Sequence, residues 1–124
     1  MPVFHKSHEP KKQNAPFSDA VQVGDMLFLA GQVGMDHSVR KLVPGGIKAE
    51  TRQCIANIKA VLEHHGSSLG KVVKCTVILS DINDFADFNE VYTQYFPNRP
   101  ARTTFAAAGL AVGAKIEIEV VAVK

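Results

Sequence analysis

The stretch that decides the fold begins Ile47-Lys48-Ala49-Glu50-Thr51-Arg52-Gln53-Cys54-Ile55-Ala56-Asn57-Ile58-Lys59-Ala60-Val61-Leu62 and, past Gly66 and a short polar link, continues Val72-Val73-Lys74-Cys75-Thr76-Val77-Ile78-Leu79. In its first part Ile47, Thr51, Cys54, Ile55, Ile58, Val61 and Leu62 recur at steps of three and four. That spacing lines up one face of an amphipathic helix over residues 47–65, closed by Gly66. Lys48, Glu50, Arg52, Lys59 and Glu63 fall mostly on the other face. In the second part the helical period is lost and β-branched residues dominate, which predicts a central strand. A helix with one face to bury, followed at once by an apolar strand, predicts helix packed on sheet.

The same pattern repeats downstream. Asn83 is placed to cap a second helix with Asp84 and Asp87 in its first turn, where acidic groups favour the helix dipole. Its apolar face is Phe85, Phe88, Val91, Tyr92 and Tyr95, and it ends before Pro97. Ala101 to Ala108 reads as an extended segment, Gly109 and Gly113 flank a turn, and Lys115 to Val123 reads as the last strand. Upstream, Gly24-Asp25 separates Ala20–Val23 from Met26–Ala30, the mark of a β-hairpin. The apolar run of its second half predicts a strand covered on both faces. Residues 34–46 hold Gly34, Pro44, Gly45 and Gly46 and read as a loop with a short strand near Leu42. Residues 1–14 are polar and read as an extended N-terminal arm. The order β-β-(β)-α-β-α-β-β predicts one α+β domain over residues 1–124: a mixed sheet with both helices on one face and antiparallel hairpins at its two ends.

Composition closes off several functions. The chain has 124 residues, 14 Lys plus Arg against 12 Asp plus Glu, and no Trp. A net charge of +2 with no basic stripe argues against nucleic acid and anionic membranes. No apolar run is long enough to span a bilayer, and Met1-Pro2-Val3-Phe4-His5-Lys6 lacks the apolar stretch of a signal peptide, so a cytoplasmic protein is expected. Cys54 and Cys75 then read as buried thiols rather than a disulfide. Gly66-Ser67-Ser68-Leu69-Gly70-Lys71 is one residue short of a phosphate-binding loop and precedes a strand instead of a helix. No grouping of His, Cys, Asp and Glu has zinc spacing.

One face of the sheet stands out. By alternation Ile116, Ile118, Val120 and Ala122 share one side of the last strand, suited to packing under helices. Lys115, Glu117, Glu119, Val121 and Val123 share the other. A face mixing carboxylates with apolar side chains is either solvated or an interface holding a site.

Six segments carry a family resemblance. Ala15-Pro16-Phe17-Ser18-Asp19-Ala20-Val21, Leu29-Ala30-Gly31-Gln32-Val33-Gly34, Asp81-Ile82-Asn83-Asp84-Phe85, Asn89-Glu90-Val91-Tyr92, Arg99-Pro100-Ala101-Arg102-Thr103-Thr104 and Lys115-Ile116-Glu117-Ile118-Glu119 occur in this order. Together they resemble the Rid/YjgF family of reactive intermediate deaminases, also called the L-PSP endoribonuclease group, from about residue 14 to the end. The resemblance implies a chorismate-mutase-like fold and a homotrimer whose open sheet faces pack together, with a site in each subunit cleft. It implies hydrolysis of enamines and imines such as 2-aminoacrylate to 2-keto acids and ammonia, without metal or organic cofactor. Two rival functions accompany it: a trimer that binds keto acids or other carboxylates without turnover, and, ranked last, a ribonuclease.

The resemblance also implies the site residues. Arg102 would clamp the substrate carboxylate, which a guanidinium does through two parallel charged bonds. Glu117 would hold the attacking water and move its protons, with Glu119 as the competing candidate. Gly31 would bring a backbone N–H to the carboxylate, Thr104 would contribute through its backbone or hydroxyl, and Asn89 would line the cleft or merely decorate the second helix. Phe17 stands where the family commonly has Tyr, keeping the apolar wall without the hydroxyl. If the last two strands form a hairpin, Glu117 lies opposite Ala106, roughly 13 Å along the strand from Arg102. The two would then meet across a subunit boundary.

Overall fold

The structure, a computed structural model, describes residues 1–124. Nine strands and two helices follow in the order β1 (Val3–His5), β2 (Ala20–Val23), β3 (Met26–Leu29), β4 (Gln32–Val33), β5 (Met35–Asp36), β6 (Lys41–Leu42), α1 (Gly46–His64), β7 (Val72–Leu79), α2 (Phe85–Tyr95), β8 (Ala101–Ala106) and β9 (Ile116–Val123). Seven strands form one sheet in the order β1-β2-β3-β9-β7-β8, with β4 also paired to β9, while β5 and β6 make a separate ribbon. The helices cover one side of the large sheet. Ile55, Ile58 and Leu62 of α1 and Phe88 of α2 interlock there with Leu27, Val77, Leu79, Ile116 and Ile118. Every residue assigned to the apolar face of α1 is buried. On α2 the buried set is Phe88, Val91 and Tyr92, while Phe85 and Tyr95 stay partly exposed. No helix is long and apolar enough to cross a membrane.

Four expectations are corrected. First, the last two strands are not a hairpin. β9 lies in the middle, antiparallel to β3 and β7, and β8 runs parallel to β7 at the edge. The crossover β7-α2-β8 makes this possible, because a helix of this length carries the chain back to start a parallel strand. Second, Asn83 does not cap a helix. Asp81 accepts a bond from the Asn83 N–H at 2.9 Å, and a single tight turn at Ile82–Asp84 leads into α2. Third, the N-terminal arm is not free. Val3–His5 pairs with β2 as an edge strand, the His8 imidazole stacks on His64, and His5 packs tilted against His65 at the end of α1. Fourth, β3 is covered on one side only, with Leu27 and Leu29 buried and Phe28 46% exposed. The short strand near Leu42 is present as β6, paired to β5. Both cysteines are buried free thiols.

The first turn of α1 is tied to the start of β9. A Cβ on Gly34 would collide with the backbone of Glu50, so the β4–β5 link passes against α1 as only glycine allows. Glu50, 5% exposed, accepts a 2.9 Å hydrogen bond from the Lys115 N–H through Oε1. A buried carboxylate needs such partners to offset lost hydration.

Candidate active site

The implied site residues separate into two groups. Phe17, Gly31 and Glu117 line one open cleft of about 240 Å³, together with Lys12, Val33, His37 and Arg40 among others. Arg102 lines another, of about 320 Å³, with Tyr92, Phe96, Arg99 and Pro100. The strand register explains the separation. Arg102 pairs with Cys75, whose side chain is fully buried under the helices. Paired residues point to the same side of a sheet, so Arg102 and Thr104 face the helix layer. Glu117 pairs with Ile78 and Val33 and, with Glu119, faces the open side. Through Ile78, Glu117 is level with Phe105, two strands away. Within one chain Arg102 and Glu117 therefore lie on opposite faces and cannot grip one small molecule.

The Arg102 group is built by α2. Its guanidinium lies over the rings of Tyr92, Phe88 and Phe85, with centroids 4.7, 5.3 and 5.6 Å away. Nη1 donates to Asn89 Oδ1 at 2.7 Å. No carboxylate pairs with this charge; the four ion pairs of the chain involve other residues. Ring faces stabilise a cation by about 0.5–2 kcal/mol and leave its in-plane donors free. On the same strand face Thr104 Oγ1 is buried without a partner, as is the Tyr92 hydroxyl. Asn89 therefore orients the arginine, and Thr104 adds an unused polar atom beside it. An unpaired guanidinium framed by unsatisfied hydroxyls is suited to a carboxylate.

The Glu117 group is built by β4 and β9. A Cβ on Gly31 would overlap the Glu117 carboxylate, so the absence of a side chain lets the acid lie against the β3–β4 link. Desolvation, and then repulsion from Glu119, hold the Glu117 carboxyl above the ordinary carboxylate value. Phe17, 52% exposed, gives the cleft an apolar wall, with the Lys12 ammonium 5.6 Å from its ring centroid. Lys12 is itself buried and ion-paired to buried Asp19 at 3.0 Å.

Three residues of this cleft escaped the sequence reading: Lys12, His37 and Arg40. Lys12 lay in what read as an extended N-terminal arm, and His37 and Arg40 in what read as a loop with a short strand near Leu42. No local pattern announces that the β5–β6 ribbon folds them towards Glu117. No group of His, Cys, Asp and Glu is arranged to hold a metal ion.

The comparisons with known proteins agree with this architecture. The family model described as endoribonuclease L-PSP matches residues 7–124. A RutC family protein of Pyrococcus abyssi is 46% identical over 114 residues, covering 91% of this chain and 90% of that protein. The 2-iminobutanoate/2-iminopropanoate deaminase of Homo sapiens is 46% identical over 110 residues, 88% of this chain and 80% of that protein. Among solved structures, the YjgF gene product of E. coli superposes with a TM-score of 0.89 at 32% identity, covering 98% of each chain. RidA from a Psychrobacter species gives 0.90 at 35% identity, covering 98% of this chain and 99% of that one.

Proposed function

Because the chain belongs to the Rid/YjgF family, the endoribonuclease L-PSP group, we propose that it hydrolyses 2-imino acids and their enamine tautomers to 2-keto acids and ammonia, in sites shared between neighbouring copies of the chain. The observation that carries this reading is the division of the six residues into two incomplete halves, one with the Arg102 guanidinium and the other with the Glu117 carboxyl. The exposed apolar side chains of the open face, Phe28 and Phe105 among them, supply a surface on which a trimer would bring one chain's Arg102 to another's Glu117.

In that site Arg102 holds the substrate carboxylate in the plane of its guanidinium while the Tyr92 and Phe88 rings fix its tilt. The Gly31 N–H and Thr104 Oγ1 complete the clamp, and Phe17 packs on the side chain. The enamine CH2=C(NH2)–COO⁻ first becomes the imine CH3–C(=NH)–COO⁻ by moving one proton from nitrogen to carbon. Water then adds to the C=N carbon, giving a proton to Glu117 as its oxygen bonds. Glu117 returns that proton to nitrogen, which gives the carbinolamine; the hydroxyl proton then passes through Glu117 to the amine, the C–N bond breaks as the C=O bond forms, and ammonia and pyruvate remain. A carboxyl raised by desolvation suits both steps, because it takes a proton from water more readily than a free carboxylate does.

The test generates 2-aminoacrylate with a serine dehydratase and follows pyruvate release. Acceleration by the protein, lost in Arg102→Ala and in Glu117→Gln, is the expected result. Mixing the two inactive variants under conditions of subunit exchange should restore about a quarter of the sites, since a freely shuffled trimer regains one intact pair in each mixed ring. Mixtures that stay inactive would overturn the shared site. Activity undiminished in Arg102→Ala would overturn the mechanism.

A further inference from the structure

The cleft that holds Glu117 has an anion-recognising group of its own. We propose that Arg40 selects substrates with a second carboxylate, so that the preferred imino acids are those with an acidic side chain. This rests on the deaminase reading above and adds the substrate class.

Four observations carry it. Arg40 lines the same cleft as Gly31, Phe17 and Glu117. Its backbone sits at φ 55°, a left-handed conformation that a side chain strains by about 1 kcal/mol. A turn there is served better by glycine, so an arginine at this position is kept against a local penalty. The turn is also well held: the Arg40 N–H bonds the Asp36 carbonyl at 2.8 Å, and the Asp36 carboxylate accepts from the Ser38 N–H and hydroxyl.

The guanidinium is oriented rather than loose. Arg40 Nη1 lies 2.7 Å from His37 Nδ1, and His37 Nε2 lies 3.4 Å from Gln32 Oε1. An arginine only donates and an amide oxygen only accepts. The imidazole between them must therefore be neutral, with its proton on Nε2 and its Nδ1 lone pair towards Arg40. Burial, and then the Lys12 charge, favour that neutral form. Gln32, 3% exposed, anchors the relay in β4 beside Gly31.

Finally, the charge has no partner. Lys12 is neutralised by Asp19, whereas no carboxylate lies within ion-pair distance of Arg40. A guanidinium has five donors, and His37 takes one. With the α-carboxylate held by a neighbour's Arg102 and the attacking water held by Glu117 at the reacting carbon, the substrate turns its side chain into this cleft. An apolar side chain leaves Arg40 unused, while a carboxylate meets two parallel donors.

The test compares imines formed in situ by amino-acid oxidases from alanine and leucine with those from aspartate and glutamate. Keto-acid release is read for wild type, Arg40→Gly and Arg40→Lys. Glycine suits the left-handed backbone, so that variant keeps the fold. The expected result is a wild-type preference for the acidic imines. Arg40→Gly should lower the ratio of kcat/KM, acidic over apolar, about tenfold or more, chiefly through KM, with partial recovery in Arg40→Lys. An unchanged ratio, or an equal loss on all substrates, would overturn the proposal. If wild type turns over no imine, the deaminase reading fails by itself. Titration with 2-oxoglutarate against 2-oxobutyrate then decides Arg40: tighter binding of the dicarboxylate, lost in Arg40→Gly, supports it, and equal binding overturns it.

Discussion

The Arg102 and Glu117 regions lie on opposite sides of one sheet and are assembled by different means. Arg102 is held from the helix layer, by three aromatic rings and one amide of α2. Glu117 is held from the open side, by closeness of backbone at Gly31 and by loops that carry Lys12, His37 and Arg40. The first region rests on the core through Phe88 and Tyr92. The second is bordered by turns and by a face that one chain leaves uncovered. The Arg102 region thus presents one charge oriented by a single helix, and the Glu117 region presents a cleft lined from several separate segments of the chain.

The largest effect expected from breaking this pairing is on turnover. Glu117→Gln should lower kcat about 10²–10⁴-fold while keto-acid binding, read by calorimetry, survives. Arg102→Ala removes two parallel charge-assisted bonds of about 1.5–3 kcal/mol each, so kcat/KM should fall about 10²- to 10⁴-fold. Next comes stability. Phe88→Ala empties a fully buried ring site and should cost about 3–5 kcal/mol in urea unfolding. It also removes part of the Arg102 platform. Phe28→Ser on the open face should change the stability of a dissociated chain by less than about 1 kcal/mol. Its effect should appear instead in the oligomeric state by sedimentation.

Electrostatics sharpens the contrast on a smaller scale. Repulsion from Glu119 contributes to the raised Glu117 carboxyl, so Glu119→Gln should move the acidic limb of kcat/KM to lower pH. For stability, a carboxyl raised on folding binds a proton that the unfolded chain has already released. Stability is therefore lost as pH rises from the unfolded value through the raised folded one. Glu117→Gln should abolish that loss and raise the melting temperature slightly at neutral pH. The smallest effect concerns the thiols. Burial pushes both Cys54 and Cys75 up, so neither should react measurably with iodoacetamide until the chain unfolds.

Much of the architecture was legible because it rests on period. The three-and-four spacing of α1 and the alternation of Ile116, Ile118, Val120 and Ala122 are local signals with one folded solution. The placement of β8 was not legible, since an extended segment beside a turn looks the same whether it pairs with the strand after it or the one before its helix. That one ambiguity hid the side to which Arg102 points. The motif around Arg102 and Glu117 could be read from residue type, but their separation onto two faces is a property of the register. Arg40 carries no sequence signal at all, because its importance lies in a backbone angle and in a histidine three residues away.

The bond between Glu50 and Lys115 has a practical use. Lys115 immediately precedes β9, the strand that carries Glu117, yet its N–H is satisfied by α1 and not by a neighbouring strand. Its hydrogen-exchange rate therefore reports whether helix and cleft remain registered with one another, independently of whether the sheet ladder is intact. A single amide resonance can serve as a gauge of the site's alignment, readable in solution before any substrate is added.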